Sequence, residues 1–158
     1  MTIIFESKSF IVESHPRPEV DRLDGGHIVI NPKITIEDRQ LLTPDQAKEL
    51  MRLTILVGEA LKRYYKSIGL ELHRVNYQDN GNWRSEQHYH LYCRAKTAKY
   101  QKAGDAIISG HKDEYQILND EDIAGLQKEI KQLLTQPNYS DALWGFSLTT
   151  QHSDYSNN

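Results

Sequence analysis

The chain has 158 residues, 38% hydrophobic and 26% charged, enough for one domain with a packed core and too apolar for disorder over most of its length. Nineteen Lys and Arg against 22 Asp and Glu leave a net charge of −3, which argues against a general nucleic-acid surface and leaves room only for a local basic patch around a small phosphate ligand. The single cysteine, Cys93, excludes an internal disulfide and a cysteine zinc cluster. No apolar run is long enough for a signal peptide or an 18-residue membrane span, so the expected location is the cytoplasm.

Taken in order, residues 3–5 and 10–12 are short β-rich runs separated by Glu6-Ser7-Lys8-Ser9, which predicts a hairpin. Residues 13–24, with Pro16 and Pro18 and many charges, read as a loop that Gly25-Gly26 ends. His27-Ile28-Val29-Ile30 is a compact strand closed by Asn31-Pro32, since proline has no ladder donor. Thr43-Pro44-Asp45-Gln46 combines a cap, a proline at the first helical position and a capping box. Ala47, Leu50, Met51, Thr54, Val57, Gly58, Leu61, Tyr65 and Ile68 follow at helical spacing, so a helix is expected from Pro44 to Ser67, with Gly58 marking a close approach to another backbone. Residues 70–77 alternate as a strand, 78–82 form a turn with Asn80-Gly81 at its tip, and 83–94 alternate again, which predicts a second hairpin. Asn119 caps a last helix whose apolar face is Ile123, Leu126, Ile130, Leu133 and Leu134 and which Pro137 ends. Leu143, Trp144 and Phe146 are expected to dock on the rest, giving one domain over residues 1–150 and a disordered tail at 151–158.

The 83–94 stretch carries the chemistry. In a strand, residues two apart share a face. Glu86, His88, His90 and Tyr92 then share one face, while Gln87, Tyr89, Leu91 and Cys93 share the other. Two imidazoles and a carboxylate are costly to bury without partners, so that face reads as a site or a wet surface.

Two distant segments together resemble the histidine triad (HIT) superfamily. Gly26-His27-Ile28-Val29-Ile30-Asn31-Pro32-Lys33 is similar to its Gly-His-φ-φ-φ-x-Pro-Lys strand, and His88-Tyr89-His90-Leu91-Tyr92-Cys93-Arg94 to its His-φ-His-φ-His-φ-φ strand with a trailing arginine. Leu41-Leu42-Thr43-Pro44-Asp45-Gln46 between them is similar to that family's helix start. The resemblance implies an α+β fold, an antiparallel sheet with a long helix and a C-terminal helix, usually paired as a homodimer. It also implies a nucleotide small-molecule substrate: a nucleoside phosphoramidate, dinucleoside polyphosphate or nucleotide sugar. Its α-phosphate is attacked by the middle histidine to give a nucleotidyl-histidine intermediate, with no cofactor and no metal. A strand imidazole suits that step, being nucleophilic near neutral pH.

The triad here is incomplete and admits two registers. With Arg94 four residues after the third histidine, His90 is third, His88 is the nucleophile and Glu86 replaces the first; otherwise His88 is first, His90 the nucleophile and Tyr92 third. The first keeps Arg94 in place and is preferred. The catalytic candidates are therefore His88, His90, Glu86 and His27, and the phosphate or ribose candidates are Gln78, Asn80, Asn82, Ser85 and Arg94. A Glu at the first position leaves a non-catalytic nucleotide-binding relative as the alternative. A metal site of His27, His88, His90 and Glu86 is a further one, since three nitrogens and a carboxylate suit zinc. Lys33, His73 and His111 read as surface residues, and the 96, 99 and 102 lysines as a solvated face.

Overall fold

The computed structural model describes residues 1–79, 84–108, 110 and 112–149. Five strands form one antiparallel sheet: β1 (Ile3–Glu6), β2 (Phe10–Ser14), β3 (His27–Pro32), β4 (Leu72–Gln78) and β5 (Tyr89–Ala95), in the order β1-β2-β3-β5-β4. β3 and β5 meet at the centre, with His27 opposite Tyr92 and Val29 opposite His90. Three helices complete the α+β fold: the long α1 (Pro44–Ser67), the C-terminal α2 (Asp120–Leu134) and the one-turn α3 (Asp141–Trp144). Among the described residues, no helix is long and apolar enough to cross a membrane.

Sheet alternation divides the residues. Ile28 and Ile30 of β3 and Tyr89, Leu91 and Cys93 of β5 enter one core with Leu53, Leu56, Val57, Ala60, Leu61 and Tyr65 of α1. The opposite face carries His90 and Tyr92, so the fold turns the β5 histidine away from α1. Helix α1 starts as its sequence dictates: the Thr43 hydroxyl accepts from the Gln46 N–H, and the Gln46 side chain accepts from the Thr43 N–H. Asn119 and Asp122 cap α2 in the same reciprocal way.

Buried polar groups then tie the elements together. The Glu49 carboxylate on α1 accepts from Ser7 Oγ at 2.6 Å and from the Ser9 N–H at 2.7 Å, closing the β1–β2 turn. Asp122 on α2 accepts from Arg22 at 2.5 Å and from Tyr64 Oη at 2.6 Å, joining the 22–24 turn, α1 and α2. Arg52 donates to the carbonyls of Phe146 and Tyr139 and to Asp141, pinning the chain that leaves α2.

The structure departs from the sequence expectations in four places. β5 begins at Tyr89, not at 83, because the Gln87 N–H is spent on the Ile36 carbonyl at 2.7 Å and the chain enters the ladder only afterwards. The apolar stripe of α1 is wider and rotated. Leu53, Leu56, Ala60 and Tyr64 are buried because α1 packs on both the sheet and α2, while Met51, Ile55 and Ile68 are exposed. Gly58 admits the side chain of Tyr77 from β4, not a backbone. Of the expected docking residues, Phe146 packs on the core but Leu143 stays exposed. The expected tail at 151–158, His111 and the Asn80-Gly81 turn tip lie outside the described residues.

Candidate functional site

Gly25-Gly26 sets the entrance to β3. Gly26 has φ +78°, and a Cβ there would fall 2.7 Å from Tyr65 Oη and 2.8 Å from Leu118 Cδ2. A Cβ on Gly25 would fall 2.7 Å from Cys93 Cβ. Only glycine lets the chain pass this close to β5, and the next residue is His27.

His27 lies on β3 and His90 on β5, two residues from the Tyr92 that faces His27, and His27 Nε2 is 2.8 Å from His90 Nδ1. His27 Nδ1 accepts the backbone N–H of Glu19 at 3.2 Å. That N–H can only donate, so Nδ1 is the bare nitrogen and Nε2 carries the hydrogen. His27 Nε2–H therefore donates to His90 Nδ1, which leaves the His90 hydrogen on Nε2. Burial pushes His27 well below the usual histidine range, with His15, His90 and His88 acting in the same direction. Burial likewise lowers His90, with His88, His15 and Arg84 contributing, to about 4.

His88 lies just before β5, its ring edge-on to His90 at 4.7 Å between centroids. Its Nδ1 is 2.9 Å from the Glu86 carbonyl and 3.2 Å from Arg84 Nε. One nitrogen cannot donate to the first and accept from the second. The carbonyl contact is shorter and can only accept, so Nδ1 donates to Glu86 O and Nε2 carries the lone pair, with no hydrogen-bond partner among the described residues. Tyr92 stacks on His90 at 5.3 Å and donates to Glu19 Oε2 at 2.5 Å, bracing the segment whose amide holds His27.

The three histidines line a cavity of about 610 Å³ together with His15, Arg17, Glu19 and Arg84, and with Met1, Gly110 and Asp113. His27, His88 and His90 thus lie together in one pocket. Glu86 does not join them. It lies ahead of the strand and lines a separate cavity beside Asn31, Lys33 and Arg84, so the face-sharing argument fails with the strand boundary. Arg94 is in the histidines' alternation but serves the 101–105 loop, donating to the carbonyls of Gln101, Lys102 and Asp105. Gln78 stands opposite His90 across the β4–β5 ladder but contributes to a different cavity, between α1 and β4. Ser85 is exposed and outside the pocket lining, and Asn80 and Asn82 lie outside the described residues. Lys33 pairs with Glu6 at the surface, and His73 is exposed, as read.

The sequence reading missed His15, Arg17 and Arg84. His15 stacks on His27 with centroids 4.5 Å apart and planes 11° from parallel. Arg17 and Arg84 give the pocket two cations. None of the three has a periodic signal, because each sits in a loop whose path is set by tertiary contacts. Among the described residues, no group of three or more His, Cys, Asp or Glu is placed to hold a metal ion. The alternative of a His27–His88–His90–Glu86 centre has no support, since Glu86 is elsewhere and His27 and His90 face each other nitrogen to nitrogen.

No protein-family model and no curated protein matches the sequence. Solved structures do match the fold. A histidine triad protein of Sinorhizobium meliloti superposes with a TM-score of 0.63 at 17% identity, covering 83% of this chain and 87% of its own. One from Marinobacter aquaeolei gives 0.61 at 19% identity over 83% and 89%. A hypothetical histidine triad nucleotide-binding protein of Sulfolobus tokodaii gives 0.54 at 20% identity over 82% and 80%. The chain has the histidine triad fold.

Proposed function

We propose that the protein binds a nucleoside 5′-phosphoryl compound in the pocket of His15, His27, His88 and His90 and transfers its nucleotidyl group to His88 and then to water. The observation that carries this reading is the set of contacts at the three histidine rings, from which the hydrogens are assigned. The relay from the Glu19 amide through His27 leaves His90 presenting an Nε2–H, a donor toward a phosphoryl oxygen, and the Glu86 carbonyl leaves His88 with a free Nε2 lone pair. His88 is then the nucleophile and His90 an electrostatic stabiliser of the charge growing on phosphorus. The opposite register gives the attack to His90, whose Nε2 is blocked by its own hydrogen. Arg17 and Arg84 supply the attraction for an anion that neutral histidines do not. His88→Ala should abolish release of AMP from adenosine 5′-phosphoramidate; if instead His90→Ala abolishes it and His88→Ala does not, the register is reversed.

One contact favours a second reading. Were Arg84 Nε the effective partner of His88 Nδ1, the hydrogen would move to Nε2 and attack would stop. The protein would then be a nucleotide-binding module without turnover, giving a thermal shift with nucleotide and no release.

The reading extends to a homodimer in the cytoplasm, with residues 1–150 acting as one domain. Leu42, Met51 and Ile55 with Tyr77 of the edge strand β4 line an apolar cavity of about 480 Å³ on the side of the molecule formed by α1 and β4. Met51, Ile55 and Tyr77 are exposed there. A second copy covering this face would remove it from water and would extend the sheet at its β4 edge.

A further inference from the structure

Transfer at phosphorus needs a proton for the leaving group as well as a nucleophile, and three of the pocket's histidines are already committed. His27 and His90 are bonded to each other, and His88 has its ring set for attack. Of the pocket's carboxylates among the described residues, Glu19 holds Tyr92 and the Gly110 N–H, and Asp113 also has a partner of its own. Among the described residues of the lining, His15 is the remaining imidazole. It follows directly on β2 and lies against the outer face of the His27 ring, 4.5 Å away and nearly parallel. Its ring is 6.3 Å from His90, and it shares the cavity lining with His88. Its Nδ1 is 2.7 Å from the Arg17 carbonyl, an acceptor only, and 3.2 Å from the Arg17 N–H. The shorter contact puts the Nδ1 hydrogen on the carbonyl and leaves Nε2 as the working nitrogen.

We infer that His15 is the general acid and base of the reaction, a catalytic histidine supplied by the β2–β3 loop and not by the β5 motif. The inference rests on the nucleotidyl-transfer reading of the pocket. In the first step the His88 Nε2 lone pair forms a bond to the α-phosphorus. The bond from phosphorus to the leaving oxygen or nitrogen breaks, its electron pair goes to the leaving atom, and that atom takes the proton from His15 Nε2. In the second step His15 Nε2 takes a proton from water, the water oxygen bonds to phosphorus, and the phosphorus–nitrogen bond returns its pair to His88. Burial and the cations Arg17 and Arg84 oppose a charge on His15, while the Arg17 carbonyl and Glu19 favour it. An arriving phosphoryl anion adds to the favourable side, so the proton enters with the substrate. The substrates that gain most are those whose leaving groups need protonation, amines and weakly acidic alcohols.

The test compares two substrates with the same adenosine 5′-phosphoryl part, an alkylamine phosphoramidate and a p-nitrophenyl ester, on His15→Gln. The amine depends on a proton donor and the nitrophenolate does not. The variant should lose about 100-fold or more in kcat/KM on the amine and less than about tenfold on the ester, the scale of general acid catalysis. Because both rates come from one sample, their ratio is independent of how much of the variant is folded. Equal losses on both substrates, or no loss on either, overturn the role of His15 while leaving His88 as nucleophile. Release from neither substrate by the wild-type protein overturns this inference together with the reading it rests on.

Discussion

His90 and His27 store a pH dependence. The unfolded chain binds protons at histidines near pH 6.5, but burial and the neighbouring histidines hold native His90 at about 4 and His27 well below its usual range. Between those values the unfolded state carries more protons than the native one, so stability falls as the pH falls. Denaturant midpoints should decline from pH 6.5 toward 4, and His90→Asn should decline less steeply over that interval. An unchanged slope in the variant would show that His90 is not held neutral. At this scale the alternation of β5 put His90 on the site face, and the resemblance put His27 and His88 beside it, although His88 itself precedes the ladder. It misled where a residue fell outside the ladder, as Glu86 did, or where a loop consumed the side chain, as the 101–105 carbonyls do with Arg94. His15 was illegible because a ring stack across two elements leaves no trace in spacing.

The elements follow local chemistry closely. The capping box at Thr43 and Gln46 and the proline at the first helical position specify where α1 starts, and α1 runs from Pro44 to Ser67 as expected. The buried arc of α1 was less legible, since a helix packed between a sheet and α2 hides more than one stripe. The Gly25-Gly26 entry to β3 is the element most exposed to a single change. Gly26→Ala forces an L side chain to positive φ and presses a methyl on Tyr65 and Leu118. The two effects together should cost about 3 kcal/mol. Activity of the folded fraction should also drop, because the shift is delivered to His27 and so to His90. A variant of unchanged melting temperature would show that this segment yields without strain.

Across the molecule, the β1–β2 and β4–β5 pairings were legible as local hairpins, but the full order β1-β2-β3-β5-β4 was not, because nothing local sets β3 between β2 and β5. The same order leaves β4 at an edge beside the exposed Met51 and Ile55 of α1. Met51→Glu should convert a dimer to monomers in sedimentation, with less than about 0.5 kcal/mol lost from the monomer, since Met51 is 59% exposed. A wild-type protein that sediments as a monomer at all concentrations would contradict the dimer. The Nε2 lone pair of His88 carries the proposed chemistry, and intact-protein mass after incubation with adenosine 5′-phosphoramidate reads its product. The wild-type protein should gain the mass of one adenylyl group, a gain that disappears in His88→Ala and survives in His90→Asn. No adduct in the wild-type protein, or an adduct that persists in His88→Ala, would contradict that role of His88.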